Sequence, residues 1–162
     1  MRKLITLTLL AIVTLATAQE RKFVIRGEMS SSKLCYSEET VKEVKLEELV
    51  DGQMVVIATA PVVDNKFTFE GTAPEQLALC NITGFDNGAI QIYLEEGEIS
   101  VGPFDAAYPV GADIAGTPSN DIYQAYLDLN DRCIKESKER MKAVMENIPA
   151  DIKGDMQAEM KY

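Results

Sequence analysis

The chain has 162 residues, of which 46% are hydrophobic and 26% are charged, so it is long enough for one globular domain with a sizeable core. It contains no His, which removes the commonest general base and metal ligand at neutral pH. Its net charge of −10 argues against binding to nucleic acid or to an anionic lipid surface, because both would repel the chain.

Residues 1–18 have the pattern of a signal peptide. Arg2 and Lys3 precede the apolar stretch Leu4–Leu15, whose roughly twelve residues are too few to span a bilayer. The small residues of "ATA" then predict cleavage after residue 18, and an uncleaved anchor is the alternative. Cleavage leaves 14 of the 16 basic residues against 26 acidic ones. We expect a periplasmic or secreted bacterial protein that does not insert into the membrane.

The first part of the remaining chain predicts short strands. "FVIRGEM" (23–29) favours a strand with a bulge or a close backbone approach at Gly27. "KLCYS" (33–37) favours a second short strand. The charged segment 38–53 fits either a short helix or a loop that flanks a strand, and Asp51-Gly52 closes it with a turn.

Two strand-turn-strand patterns follow. The β-branched run "MVVIATAPVV" (54–63) and the alternating "KFTFEG" (66–71) flank Asp64-Asn65, a pair typical of hairpin turns with positive φ. "AIQIYLE" (89–95) and "EISVGPF" (98–104) flank the turn at Glu96-Gly97. In both cases alternation predicts a buried face, with the rings of Phe67 and Phe69 in the core.

Together with "QLALCNITGF" (76–85), these segments make seven or eight short strands with turns at intervals of about 8–12 residues. The pattern predicts a mainly β fold: an antiparallel β-sandwich or barrel-like domain over residues 19–118.

Residues 119–162 are predicted to be a helical linker or C-terminal helix. Ser119 or Asn120 is the expected N-cap, and about 27 residues without Gly or Pro would give a helix of roughly 40 Å. Such a helix is longer than a small sandwich is wide, so we expect it to dock its first half and project its second, or to bend. Apolar residues recur at helical spacing in two groups: Ile122, Tyr126, Leu129 and Cys133, then Met141, Val144, Met145 and Ile148.

No catalytic, cofactor-binding or metal-binding residue is predicted. Glu95, Glu96 and Glu98 cluster at one turn, where we expect solvated acids; a weak divalent-cation site is the alternative. Tyr126, Met141 and Met145 are the predicted partner-facing residues of the helix, because methionine makes an adaptable apolar surface; core packing or disorder are the alternatives.

The chain has three cysteines and lacks a C-x-x-C motif. An oxidising compartment permits disulfides, and Cys35 and Cys80 are a possible pair if their strands are neighbours. The alternative is that all three, Cys133 included, are small buried apolar side chains.

Four segments in order, "FVIRGEM", "APVVDNKFTFEGT", "IYLEEGEISV" and "IAGTPSNDIYQAY", resemble the domain of unknown function 4369 over about residues 22–140. Asn65 stands where that family usually has Gly. The matching positions are Phe67, Phe69, Gly71, Leu94, Glu95, Gly97, Ile99, Gly116, Thr117 and Asn120.

The resemblance implies a secreted β-rich domain and a helical linker, followed by a thioredoxin-like domain, as in envelope thiol-disulfide proteins of the Bacteroides type. The W-C-x-x-C motif of that domain is missing, so we expect either truncation or a separately encoded partner. The expected function is a non-catalytic module that positions or recognises partners for such a protein, through a thioredoxin-like domain in trans or through self-association. The alternatives are a stand-alone thiol-redox protein that uses its own cysteines, and an extracytoplasmic ligand-binding domain.

Overall fold

A computed structural model describes residues 21–37, 39–148 and 154 of the chain. The predicted signal peptide lies outside the described residues, as does the predicted helical continuation after residue 148 apart from Gly154. The described elements are β1 (Lys22–Ser31), β2 (Glu43–Val50), β3 (Gln53–Pro61), β4 (Lys66–Thr72), β5 (Ala78–Thr83), β6 (Ile90–Leu94), β7 (Gly97–Asp105), a 3₁₀ turn (Pro109–Gly111), β8 (Ile114–Ala115) and α1 (Pro118–Glu146).

The eight strands form two four-stranded sheets that share one core. The strand orders are β4-β1-β7-β8 and β3-β2-β5-β6. Inward-facing side chains of both sheets make a single cluster of buried residues, so the sheets are the two layers of a sandwich. The predicted mainly β fold with a C-terminal helix is therefore confirmed. The sheets are not wholly antiparallel, however, because β1 and β7 pair in parallel.

The segment 38–53 was predicted as a short helix or a charged loop, and that prediction is wrong. Glu43–Val50 is strand β2, and Asp51 and Gly52, with φ angles of 50° and 80°, turn it directly into β3. Val44 and Leu46 alternate with charged residues and are fully buried. The segment therefore has the two-residue alternation of a strand, although charged residues occupy its exposed face. The predicted strand at 33–37 is also wrong, since this segment forms only an isolated bridge from Lys33 to Thr40.

The turn predicted at Asp64-Asn65 is present, but the hairpin around it is not. The φ angles of the two residues are 50° and 61°, and Val63 and Lys66 exchange two backbone hydrogen bonds of 2.9 Å. Pairing goes no further, because β3 belongs to one sheet and β4 to the other. The turn is a corner at which the chain crosses between layers.

The second predicted hairpin is a corner as well. Strand β6 pairs with β5, whereas β7 pairs with β1 and β8, so the chain changes sheets at Glu95-Glu96. Ile90, Ile92 and Leu94 of β6 and Ile99 and Val101 of β7 are all buried, as the alternation predicts. Two strands that face one core from opposite layers show the same inward alternation as two hairpin strands, which is why the pattern could not separate the two cases.

The close approach predicted at Gly27 is confirmed. A Cβ atom at this position would overlap the ring of Phe67 on the neighbouring strand β4. The register between β1 and β7 also shifts just after Gly27. Glycine is required here because the Phe67 ring lies directly over the backbone of β1.

Helix α1 has 29 residues, or about 43 Å at 1.5 Å per residue. Only its beginning touches the sandwich: Asn120 is buried, and Ser119, Tyr123, Gln124 and Leu127 are partly buried. Every side chain from Asp128 to Asn147 is exposed. The docked part is therefore shorter than the predicted first half. Among the described residues, no helix has both the length and the apolar character needed to cross a membrane.

Candidate functional site

The start of α1 is held by an acidic residue from another element. Thr117 is the N-cap residue, with extended backbone, and its side chain makes no capping bond. Instead, the carboxylate of Glu95, at the corner after β6, accepts hydrogen bonds from the backbone N–H of Ser119 at 2.8 Å and from its hydroxyl at 3.1 Å. The prediction that Ser119 or Asn120 is the N-cap is wrong, because the chain enters the helix two or three residues earlier.

The capping bonds change the acidity of Glu95. Partial burial acts to raise its pKa, but hydrogen bonds from Thr117, Ser119 and Asn120 outweigh burial and lower the pKa from its ordinary value of 4.5. The ionised carboxylate therefore faces the positive end of the helix dipole at neutral pH. Glu95 is a structural anchor for α1 and differs in this from the solvated acid that we predicted.

Asn120 fixes the helix to the edge of one sheet. Its side chain is fully buried, its Oδ1 accepts the Tyr93 N–H at 2.9 Å, and its Nδ2 donates to the Tyr93 carbonyl at 2.7 Å. The same Nδ2 donates to the Thr117 hydroxyl at 2.8 Å. Because Tyr93 lies on the edge strand β6, the amide of Asn120 occupies the place that a neighbouring strand would take.

Two further side chains of α1 bond the edge of the other sheet. The Oε1 atom of Gln124 accepts the N–H of Ile114 at 2.7 Å, and the carboxylate of Asp121 accepts the N–H of Gly116 at 2.8 Å. Ile114 lies on β8 and Gly116 follows it directly. The first turns of α1 thus lie across the open side of the sandwich and bridge the edge strands β6 and β8.

Tyrosines line a groove between α1 and β6. The groove has a volume of about 410 Å³ and is lined by Leu77, Tyr93, Ser119, Ile122, Tyr123 and Tyr126. The rings of Tyr93 and Tyr123 meet edge to face at 5.5 Å, and those of Tyr123 and Tyr126 stack at 6.4 Å. The wall is largely apolar, so this groove suits an apolar or aromatic group of a ligand or partner.

Tyr123 is the fixed ring of this group. Its hydroxyl donates to Oε1 of Gln91 on β6 at 2.9 Å. Burial, with smaller contributions from Tyr93 and Tyr126, raises the pKa of Tyr123, so its hydroxyl is a neutral hydrogen-bond donor at physiological pH. Tyr126 lacks such an anchor among the described residues, and 60% of its surface is exposed.

The three predicted partner-facing residues do not lie in one place. Tyr126 lines the groove, whereas Met141 and Met145 lie on the part of α1 that leaves the sandwich, with 62% and 52% of their surface exposed. The polar anchors Glu95 and Asn120 were not predicted as a site. Both residues are, however, among the positions that match the family pattern, and this match is the feature of the sequence that could have identified them.

The possible disulfide between Cys35 and Cys80 is not formed, and the described chain holds three free thiols. Cys35 lies outside the strands, in a loop whose N–H groups at Cys35 and Tyr36 donate to Asp86. Cys80 is buried on β5, between β2 and β6. Burial, and secondarily the charge of Glu48, raises the pKa of Cys80 to about 11, so this thiol is protonated at neutral pH. Cys133 is exposed on α1.

The three glutamates of the acidic turn do not form one site, because each has a different partner. Glu95 caps α1, Glu96 pairs with Arg21 at 3.3 Å, and Glu98 pairs with Arg26 at 3.6 Å. Within the described ranges, no group of three or more His, Cys, Asp or Glu residues is placed to hold a metal ion. The candidate contact surface consists of the exposed apolar side chains of α1 and the tyrosine groove.

No curated protein matches the chain. The sequence profile of a domain of unknown function, DUF4369, matches residues 21–123, from just before β1 to the tyrosine groove. The match covers more than half of the 162 residues and includes all eight strands and the anchored start of α1. The chain belongs to the DUF4369 family.

Proposed function

We propose that this protein is a secreted, non-catalytic β-sandwich module of the bacterial cell envelope. Its role is to position or recognise a partner for a periplasmic thioredoxin-like thiol-disulfide protein. The observation that carries the proposal is the form of α1: the sandwich fixes its beginning by polar bonds, and the rest extends away with exposed apolar side chains.

The projecting part of α1 has the properties of an interface before its partner is bound. Four apolar side chains are 44–62% exposed along about three turns of this part, namely Ile134, Met141, Val144 and Met145. Exposed apolar surface of this kind marks a contact site for a partner. Methionine adapts its shape to a partner, so a surface of this kind suits recognition of another folded domain. Anchoring by Glu95 and Asn120 fixes the first turns of α1, so this part of the helix loses little conformational entropy on binding.

Its charge restricts the class of partner. The net charge of −10 disfavours nucleic acid and anionic lipid and leaves a protein with a neutral or basic face as the favoured partner. A thioredoxin-like domain in trans is the partner that the family resemblance implies.

The proposal assigns thiol chemistry to the partner and not to this chain. Cys80 is a poor nucleophile because its thiol is buried and protonated. Cys35 and Cys133 lie on different elements, a loop held by Asp86 and the projecting helix. Two thiols in such places do not form the closely spaced pair that dithiol exchange uses.

Binding of a purified thioredoxin-like domain that carries W-C-x-x-C, measured by calorimetry, tests the proposal. We expect Tyr126→Ser and Met141→Ser each to weaken binding about tenfold, which corresponds to about 1.4 kcal/mol at an interface hot spot. Tyr108→Ser is the matched control, because Tyr108 is 63% exposed, nearly as much as Tyr126 at 60%, but lies outside α1. Binding that is absent, or unchanged by the α1 variants, would contradict the proposal.

A further inference from the structure

Strand β3 is an edge strand that no other element of the described chain covers, although its pairing with β2 has one bulge, at Ile57. Two sheets have four edges, and three of them are covered or charged. Side chains of α1 bond the edges of β6 and β8, through Asn120 and Gln124. The edge strand β4 carries the charged residues Lys66 and Glu70 on its exposed face. Edges are normally protected in these ways because unpaired backbone groups attract other strands.

The sequence of β3 contains none of the usual protection over most of its length. From Gln53 to Ala60 there is no charged residue and no proline, and the run "MVVIATA" combines β-branched residues with neutrality. Met54, Val55, Val56 and Ile57 are 44%, 43%, 48% and 41% exposed. Successive strand residues point to opposite faces, so four exposed neighbours mean that both faces of β3 are uncovered.

The length of the β2–β3 hairpin accounts for the exposure of Met54, whereas Val55 and Val56 lie opposite β2 residues that still pair with β5. Strand β2 pairs with β5 only over Lys45–Glu48, whereas it pairs with β3 as far as the turn at residues 51–52. The end of the hairpin therefore extends past the sheet as a two-stranded ribbon, with Leu49 60% exposed on it. A two-stranded ribbon with apolar faces is marginal in water unless another strand joins it.

We infer that β3 is the pairing site for β3 of a second copy of this chain. The two strands would run antiparallel about a two-fold axis and join two four-stranded sheets into one sheet of eight. Within the described chain no hydrogen bond reaches the outer edge of β3, so its free N–H and C=O groups select an extended strand as the occupant. A two-fold contact requires a self-complementary surface, and a neutral apolar strand meets that requirement.

The charge distribution favours a second copy over a different peptide. Two copies that each carry −10 repel one another over most of their surface. Between Asp51 and Asp64 there is no charge, so this is a stretch over which two copies can approach without opposing like charges. A basic peptide would be attracted by acidic surface elsewhere, but β3 offers it no counter-charge. The inference does not depend on the role proposed for α1.

Sedimentation analysis of the purified chain between about 1 and 100 µM tests the inference, since an interface of this kind dissociates on dilution. We expect a monomer–dimer equilibrium in the wild type. Val56→Lys should weaken the dimer at least tenfold and leave the monomer folded, because position 56 lies opposite Glu47 on β2. Leu79→Lys is the control: it adds the same charge at an apolar position that is 43% exposed, on a strand inside the sheet.

Three results would overturn the inference: a wild-type monomer at the highest concentration, a dimer that Val56→Lys leaves intact, or a dimer lost in Leu79→Lys alone. Loss of the dimer in Met141→Ser but not in Val56→Lys would place the contact on α1 instead. Amide hydrogen exchange of the wild type gives a readout independent of any variant. Protection of residues 53–57 should rise with protein concentration, and protection that stays constant would also count against pairing through β3.

Discussion

At the scale of single residues, polar side chains and not apolar ones determine where α1 begins and how it is oriented. Asn120 is fully buried yet satisfies both Tyr93 backbone groups and the Thr117 hydroxyl. Among the described residues, no buried side-chain nitrogen or oxygen lacks a hydrogen-bond partner. Directional bonds of this kind allow one register of the helix on the sheets, which apolar contact alone would not specify.

Replacing Glu95 by Gln should lower stability in a pH-dependent way. Because the folded protein lowers the pKa of Glu95, its ionised form contributes stability that is fully present above the ordinary value of 4.5 and is lost as pH falls through the lowered value. At pH 7 we expect Glu95→Gln to lower the free energy of unfolding by about 1 kcal/mol, as for loss of a helix cap. Urea unfolding of both proteins at pH 7 and in acid measures the difference, which should vanish in acid.

Glu96→Gln is the control for this prediction. Glu96 is the next residue, carries the same charge and makes only an exposed ion pair with Arg21. Such pairs contribute from zero to about 1 kcal/mol, usually near the low end. An equal loss in both variants at pH 7 would show that net charge, and not the cap, is responsible.

Gly27→Ala should be strongly destabilising although it adds a single methyl group. A Cβ at residue 27 would overlap the Phe67 ring, so either the ring or strand β1 must move. Overpacking of this kind costs roughly 1–3 kcal/mol. Gly111→Ala is the matched control, since a Cβ there has no neighbour within 4 Å. Thermal unfolding of the two variants measures the difference, and equal midpoints would refute the close approach.

At the scale of elements, the positions of the strands could be predicted from the sequence more accurately than the strands with which they pair. Burial of Phe67 and Phe69, and the positive φ angles at Asp64-Asn65, followed from local pattern. Which sheet each strand joins did not, because inward alternation looks the same from either layer. The prediction for β2 failed for another reason. Charged residues flank Val44 and Leu46, so the high charge of the segment favoured a loop or a short helix over a strand.

The backbone amides of α1 should fall into two groups, one protected from hydrogen exchange and one that exchanges readily. The partly or fully buried side chains of the helix lie between Ser119 and Leu127, and those from Asp128 to Glu146 are exposed. Helices without tertiary packing are marginal in water, so the amides from about residue 130 should exchange much faster than those of the docked turns. Hydrogen exchange followed by mass spectrometry measures this. Uniform protection as far as Glu146 would mean that the projecting part is already covered by a partner.

The candidate site shows the same limit of prediction. Tyr126, Met141 and Met145 were predicted as partner-facing from their place on the helix and from the adaptable shape of methionine, and all three are exposed. The groove that Tyr126 shares with Tyr93 could not be predicted, because it depends on a contact between β6 and α1 that Asn120 creates. An amide that replaces a strand neighbour has no signature in sequence spacing.

At the scale of the whole molecule, the two sheets share one core, and Cys80 lies inside it on β5. A domain with a single core is expected to unfold in one cooperative step. Alkylation of Cys80 should therefore require global unfolding, since its thiol is fully buried and its pKa of about 11 leaves little thiolate in the folded state. Cys133, exposed on α1, should react without unfolding and serves as an internal control in the same chain.

Pulsed alkylation at increasing urea, read by mass spectrometry of the Cys80 and Cys133 peptides, tests this expectation. Labelling of Cys80 should follow the loss of β structure seen by circular dichroism, because β5 is paired on both sides, with β2 and with β6. Labelling of Cys133 should be complete before the transition begins. If Cys80 were labelled at low urea while the strands persist, the two sheets would separate before they unfold, and the single shared core would no longer explain the stability of the domain.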